Sequence, residues 1–166
     1  VFLPDIADIS SFMEILSLTP DDLDTALPSG FVNAGLDTLI VPINSLQSCV
    51  SCMPSFQDLL NYTESNGIDI VLIYTKEVMF TGNQYRTRVF APSFGYLEDP
   101  ATGSGNSALA YLLMKTGEWT EDTLVLEQGP DMDNPNIIHI ANTKDGGVLF
   151  GGAGTVRIDG AYVLHT

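Results

Sequence analysis

Glu98-Asp99-Pro100-Ala101-Thr102-Gly103-Ser104-Gly105-Asn106-Ser107 runs directly into Ala108-Leu109-Ala110-Tyr111-Leu112-Leu113-Met114, and the reading of this junction decides the rest. A turn rich in Gly, Ser and Thr, followed by residues that favour helix, places Ser104 where a helix begins. The first-turn N–H groups of a helix have no partner inside it and carry the positive end of its dipole, so the backbone here forms an anion cradle. The seven consecutive apolar residues 108–114 show no polar stripe, which predicts a helix covered on all sides. The run is too short to cross a bilayer, which takes roughly 20 residues. Lys115 suits the negative pole and Gly117 is a left-handed stop. The expectation is a buried helix over residues 104–116 whose N-terminus points at a ligand pocket. The same spacing also fits an ordinary core helix with a Gly/Ser capping loop, because short glycine motifs are weakly specific.

Upstream, Gln84–Phe90 alternates, with Tyr85, Thr87 and Val89 on one face and Arg86, Arg88 and Phe90 on the other. Asp69–Thr75 is a continuous apolar and β-branched run, expected as a strand covered on both faces. Ser55–Asn66, ended by Gly67, reads as an amphipathic helix through Phe56, Leu59, Leu60 and Thr63. Phe31–Val32 and Leu39–Ile43 read as strands around a Gly35 turn. Thr19-Pro20-Asp21-Asp22 has the cap, N1 proline and acidic first turn of a short helix, and Asp5 caps another that runs to Leu16 through Ile6, Ile9 and Met13.

Downstream, Leu124–Glu127, Ile137–Ala141, Val148–Phe150, Thr155–Ile158 and Tyr162–Leu164 read as short strands separated by turns, with Asp159-Gly160 a two-residue hairpin turn. Such a meander needs a helix over its inner face, so the fold class is α+β and residues 1–166 form one domain.

Composition narrows the partners. The formal charge is −15 with only six Lys and Arg, so nucleic acid and anionic membrane surfaces, which need clustered positive charge, are not expected. The acidity itself reads as solubility. No signal-like or membrane-spanning stretch stands out, and the cytoplasm is the expected location. Cys49-Val-Ser-Cys52 offers two thiols where structural zinc takes four ligands, and His139 and His165 have no ligand-like spacing. Inert thiols and no metal site are expected.

Arg88-Val-Phe-Ala-Pro92, then Gly95, then Glu98 to Ser104 resembles the signature of the PhzF-like phenazine-biosynthesis family. Matches flank it: Asn33-Ala-Gly35 ahead of Leu39–Pro42, Glu127-Gln128-Gly129 with Pro135, and Val148, Gly151-Gly152, Val156 and Gly160. The resemblance covers nearly the whole chain but only the family's C-terminal half, and it favours missing sequence ahead of Val1. It implies one lobe of a diaminopimelate epimerase-like fold, a curled, barrel-like mixed sheet wrapped around a central α-helix, with the active site between two lobes.

The resemblance also implies site residues. Asp99 and Ser104 would be catalytic. Thr102, Gly103, Ser104 and Gly105 would bind substrate, with the Gly103 and Ser104 N–H groups on its carboxylate, and Asp99 would hold an amino or hydroxyl group or help move a proton. The implied activity is cofactor-independent isomerisation or epimerisation of a small carboxylate-bearing compound. The family's acid/base Glu and its assisting His belong to the other lobe and have no counterpart motif here. Glu98 reads as a loop-fixing carboxylate, and Asn134 stands where the family commonly has Arg, which puts contacts of that loop in doubt.

Two readings remain from the residues: a half-site of an isomerase completed by an N-terminal lobe in the same or another chain, or a stand-alone lobe that binds a small acid or self-associates. A Ser104 nucleophile would need a histidine base, and neither histidine has triad context. The Gly-rich turn lacks a P-loop Lys and dinucleotide spacing, so nucleotide cofactors are not expected.

Overall fold

The computed structural model describes residues 9–164. In chain order the elements are α1 (Ile9–Ile15), β1 (Gly30–Asn33), β2 (Asp37–Pro42), α2 (Leu46–Ser51), α3 (Phe56–Asn66), β3 (Ile70–Thr75), β4 (Tyr85–Phe90), β5 (Glu98–Asp99), α4 (Gly103–Thr116), β6 (Thr123–Gln128), β7 (Asn136–Asn142) and β8 (Val148–Gly151). The strands join one sheet in the order β1-β2-β3-β4-β6-β7-β8, and β5 pairs with β4 beside that path. Pairing is parallel between β2 and β3 and between β4 and β6, and antiparallel elsewhere.

Alternation along the strands divides the apolar residues between two cores. Ile40, Ile70, Leu72, Tyr85, Val89, Leu126 and Ile140 point inward at Ala108, Leu109, Leu112 and Leu113 of α4. Leu39, Val41, Val71, Ile73 and Phe90 point outward, under Phe12, Met13, Cys49 and Leu59 of the outer helices. Strand β3 is accordingly buried along its whole length, as its unbroken apolar run predicts. Helix α4 packs against both β1 and β8, the two ends of the sheet path. The sheet therefore curls about it as a half-barrel, the α+β architecture expected.

Helix α4 is buried from Gly105 to Leu113 except Tyr111, and ends at Gly117 in the left-handed region with φ 80°. Ser55 caps α3 and Gly67, φ 65°, ends it. Thr19 and Asp22 form a reciprocal capping box around a 3-10 turn, Pro20–Asp22. The expected cap of α1, Asp5, and Ile6 of its apolar face lie outside the described residues, as does His165.

Three expectations need correction. Residues 152–164 form no strand, so the hairpin about Asp159-Gly160 is not formed. Val156 is 83% exposed and Ile158 92%, because an isolated two-stranded hairpin with no sheet edge beside it is not stable in water. Helix α2 was not expected. It forms because the Ser45 hydroxyl accepts the Ser48 N–H at 3.0 Å, and its Cys49 side chain faces the outer core. Phe56, expected on the buried face of α3, is exposed, whereas Leu59 and Thr63 of that face are buried as expected and Tyr62 packs beside them.

Candidate active site

The site grows from a change of partner along one edge of β4. Tyr85–Thr87 pair with Leu126–Gln128 of β6, whereas Val89 and Phe90 pair with Asp99 and Glu98 of β5. Beyond β5 the chain turns over this junction and starts α4. Buried side chains occupy the junction. The Thr102 N–H donates to Gln128 Oε1 at 2.9 Å, and Asn106 Nδ2 donates to the same oxygen at 2.6 Å. Gln128 Nε2 donates to the Asp99 carbonyl at 2.6 Å and to Thr102 Oγ1 at 3.1 Å. Asn106 Nδ2 also reaches the Thr102 carbonyl at 2.7 Å, and Thr87 Oγ1 donates to Asn106 Oδ1 at 3.1 Å. Thr87, Asn106 and Gln128 are fully buried. A buried amide left unpaired costs about 1–3 kcal/mol, so a network with every group paired specifies one loop conformation.

Two ion pairs brace the surroundings. Arg88 grips Glu98 through two bonds, Nε to Oε1 at 2.9 Å and Nη2 to Oε2 at 2.8 Å, and donates to the Cys49, Val50 and Cys52 carbonyls of α2 and its cap. Glu98 thus holds the loop. Arg86 and Glu127, both fully buried, pair at 3.1 Å. Burial alone would raise the Glu127 pKa, but donors from Met79, Asn83, Phe80 and Arg86 outweigh it and hold the carboxyl below the ordinary carboxylate range. Arg86 also donates to the Gly129 and Asp131 carbonyls, and Asn136 Nδ2, further along that loop, donates to the Pro100 carbonyl at 2.8 Å.

Asp99 lies at the end of β5, ahead of the loop, and Gly103, Ser104 and Gly105 form the first turn of α4. Asp99 Oδ2 accepts the Thr102 hydroxyl at 2.8 Å. Among the described residues, its Oδ1 accepts only from the Ala101 N–H, at 3.4 Å. Ser104 is half-buried at the second helical position. Thr102 turns its side chain inward, and Gly105 lies against Ile70 and Val89, where a Cβ would stand 3.2 Å from Ile70. A cleft of about 510 Å³ opens beside the helix start, lined by Ala101 and Gly103, by Pro135 to Ile138 and by Phe150 to Ala153. Asp99 and Ser104 do not line this cleft. The Phe150 ring covers Gly103 so closely that a Cβ there would lie 2.2 Å from it, which makes glycine the residue that fits beneath the ring. The start of α4 therefore borders the cleft at Gly103, beside the Phe150 ring, and the positive end of a helix favours an anion.

Other candidates do not join this constellation. Cys49 and Cys52 are buried, and burial pushes both thiols up to about 12, far from a reactive thiolate. His139 is exposed on β7. Among the described residues no group of three His, Cys, Asp or Glu is placed to hold a metal, and no helix is long and apolar enough to cross a membrane. Asn134 is exposed, and its N–H closes a turn onto Asp131 Oδ1 at 3.2 Å.

Comparison with known proteins decides the family, because the model for phenazine biosynthesis-like proteins, PhzC-PhzF, matches residues 3–160. The chain belongs to the PhzC-PhzF family. Among PhzC-PhzF-like relatives, the "Uncharacterized isomerase YfhB" of Bacillus subtilis (strain 168) is 24% identical over 147 residues, 88% of this chain and 50% of that protein. An "Uncharacterized isomerase" of Deinococcus radiodurans is 26% identical over 157 residues, 90% of this chain and 50% of that protein. The chain spans about half the length of the curated relatives it matches. In fold it resembles the PhzF-family phenazine biosynthesis protein of Bacillus anthracis, with TM-score 0.70 at 18% identity, covering 85% of this chain and 50% of that one. A PhzC/PhzF protein of Clostridium difficile (strain 630) gives TM-score 0.51 at 24% identity, covering 76% of this chain and 48% of that one. The fold of this PhzC-PhzF chain is thus the diaminopimelate epimerase-like one expected.

Gln128 and Asn106 are the residues that sequence reasoning missed. Gln128 was legible only as part of a flanking match, and Asn106 only as a polar residue entering an apolar helix.

Proposed function

We propose that this chain supplies one wall of the active site of a cofactor-independent isomerase or epimerase acting on a small carboxylate-bearing compound by proton transfer. What supports the reading most is the family's signature loop, held by a buried network at the N-terminus of α4 beside a cleft. In this reading the N–H groups of Gly103, Ser104 and Gly105 hold the substrate carboxylate, and the Ser104 hydroxyl adds a donor. Asp99 takes or gives a proton, or binds an amino or hydroxyl group of the substrate. Moving a proton next to a carboxylate needs a base near the carbon and donors for the charge that develops. This chain offers the donors and one carboxylate, and the main base comes from a companion lobe.

The test uses the protein as its source makes it, incubated in D2O with a panel of α-amino acids and followed by NMR for loss of the Cα proton. Exchange by the wild type that disappears in both Asp99→Ala and Ser104→Ala supports the reading. Unchanged rates in both variants overturn it.

A second reading, a lobe that associates through exposed apolar segments, has its own observation. Val156, Ile158, Tyr162 and Leu164 are each more than three-quarters exposed, at 83, 92, 91 and 78%, and apolar residues clustered in this way tend to find a partner. The partner would be a companion lobe or a second copy. Sedimentation of dilute protein that stays strictly monomeric, with no rise in Tm on adding succinate, would remove this reading.

A further inference from the structure

The hydrogen-bond directions beneath the signature loop are over-determined by backbone groups. The Thr102 N–H can only donate, so Gln128 presents Oε1 to it, and the Asp99 carbonyl can only accept, so Gln128 presents Nε2 there. The same Nε2 reaches Thr102 Oγ1 at 3.1 Å and uses one of its lone pairs. With that oxygen already accepting, the Thr102 hydroxyl proton goes to Asp99 Oδ2, 2.8 Å away. Asn106 locks the arrangement: its Nδ2 must face the Thr102 carbonyl, so it donates to Gln128 Oε1 as well and leaves Oδ1 for the Thr87 hydroxyl. Rotating either amide would set an N–H against an N–H or an oxygen against an oxygen in a fully buried place, at a cost of about 1–3 kcal/mol per unpaired group.

We propose that Gln128 and Asn106, acting through the Thr102 hydroxyl, are positioning residues that fix the proton register of Asp99: Oδ2 is a standing acceptor, and Oδ1 is the oxygen that takes or gives a proton. Oδ1 is free for this because, among the described residues, its one hydrogen bond is the long 3.4 Å approach of the Ala101 N–H. A carboxyl group that can use only one oxygen, in one rotamer, loses less freedom when it meets a substrate, which is the advantage of a preorganised site.

Neutron diffraction from crystals of the deuterated protein at neutral pH tests the register directly, and this arm is independent of the isomerase reading. A deuteron on Thr102 Oγ1 directed at Asp99 Oδ2, with both Gln128 Nε2 deuterons accounted for, is expected. A deuteron on Oδ2, or a Thr102 hydroxyl turned elsewhere, overturns the proposal. The second arm rests on the isomerase reading and follows α-amino acid exchange in D2O. Thr102→Val, which keeps the shape and loses the hydroxyl, is expected to lower kcat about tenfold with KM within about twofold, and Thr102→Ser is expected to restore it. Equal rates in the Val and Ser variants, both folded by circular dichroism, overturn the catalytic consequence. If Thr102→Val does not fold, the neutron result decides. Absence of exchange by the wild type itself overturns the isomerase reading and leaves the register to the neutron arm.

Discussion

The corner around Asp99 and the stretch that follows Gly151 meet opposite fates, and local propensity explains neither. At the corner, β5 is only two residues long, but every buried polar group around it has a partner, and among the described residues no buried side-chain N or O atom lacks one. After Gly151, strong β-formers such as Val156, Ile158 and Tyr162 remain in solvent. Tertiary partners, and not intrinsic preference, separate the two. A half-barrel supplies neighbours for the segments that touch α4 and none for a segment beyond its last strand.

The contrast breaks most sharply at Arg86. Arg86→Met leaves Glu127 buried without its cation, and removing one member of a buried pair costs about 3–5 kcal/mol. Urea unfolding of variant and wild type should differ by that much. A loss under about 1 kcal/mol would mean that the corner relaxes and is no better braced than the tail. The pair also sets an acid limb. The Glu127 carboxyl titrates below its ordinary value of 4.5 in the folded chain, so its contribution is full above that value and is lost as pH falls through the depressed one. Glu127→Gln should be less stable at pH 7 and should lose less further stability between pH about 5 and about 3 than the wild type does. Equal losses would show that other carboxylates carry the acid limb.

Next in size is Asn106→Leu, expected to cost about 2–3 kcal/mol because Thr87, Gln128 and the Thr102 carbonyl each lose a partner in a dry site. Amide hydrogen exchange at Thr102 should accelerate in the same variant. Unchanged protection at Thr102 would show that Gln128 alone secures the loop.

How much of this could be read from the residues follows the same division. The buried run Ile70–Thr75, the α4 span, the cap at Thr19 and the helix stops at Gly67 and Gly117 were all legible, because burial and helix ends leave local, periodic marks. The signature loop was legible as a loop before a helix. What it stands on was not: Gln128 lies 26 residues from Thr102 and 22 from Asn106, and Glu127 lies 41 from Arg86. Those meetings depend on the β4–β6 register, which no local pattern records. Helix α2 was missed because its Cys and Val residues are poor helix formers and its start depends on one serine cap. The tail was misread for the converse reason: alternation shows that a segment can be a strand, and says nothing of whether a sheet edge awaits it.

The smallest expected effect is therefore the most informative about the tail. Replacing Val156 and Ile158 together by Asp should change the unfolding free energy of this chain by no more than about 0.5 kcal/mol, the usual range for exposed positions away from packed features. The same pair of substitutions in a barrel strand such as β3, where Val71 and Ile73 are fully buried, would put two charges into the outer core and unfold the domain. A loss above about 1 kcal/mol from the tail variant would show that residues 152–164 pack on the half-barrel in solution, and the contrast with the corner would fail. A loss confined to the protein as its source makes it, and missing from this chain alone, would sharpen the contrast instead. It would mean that Val156 and Ile158 find their sheet edge on a companion surface, and that the tail is held by the kind of tertiary partner that already holds the loop at Asp99.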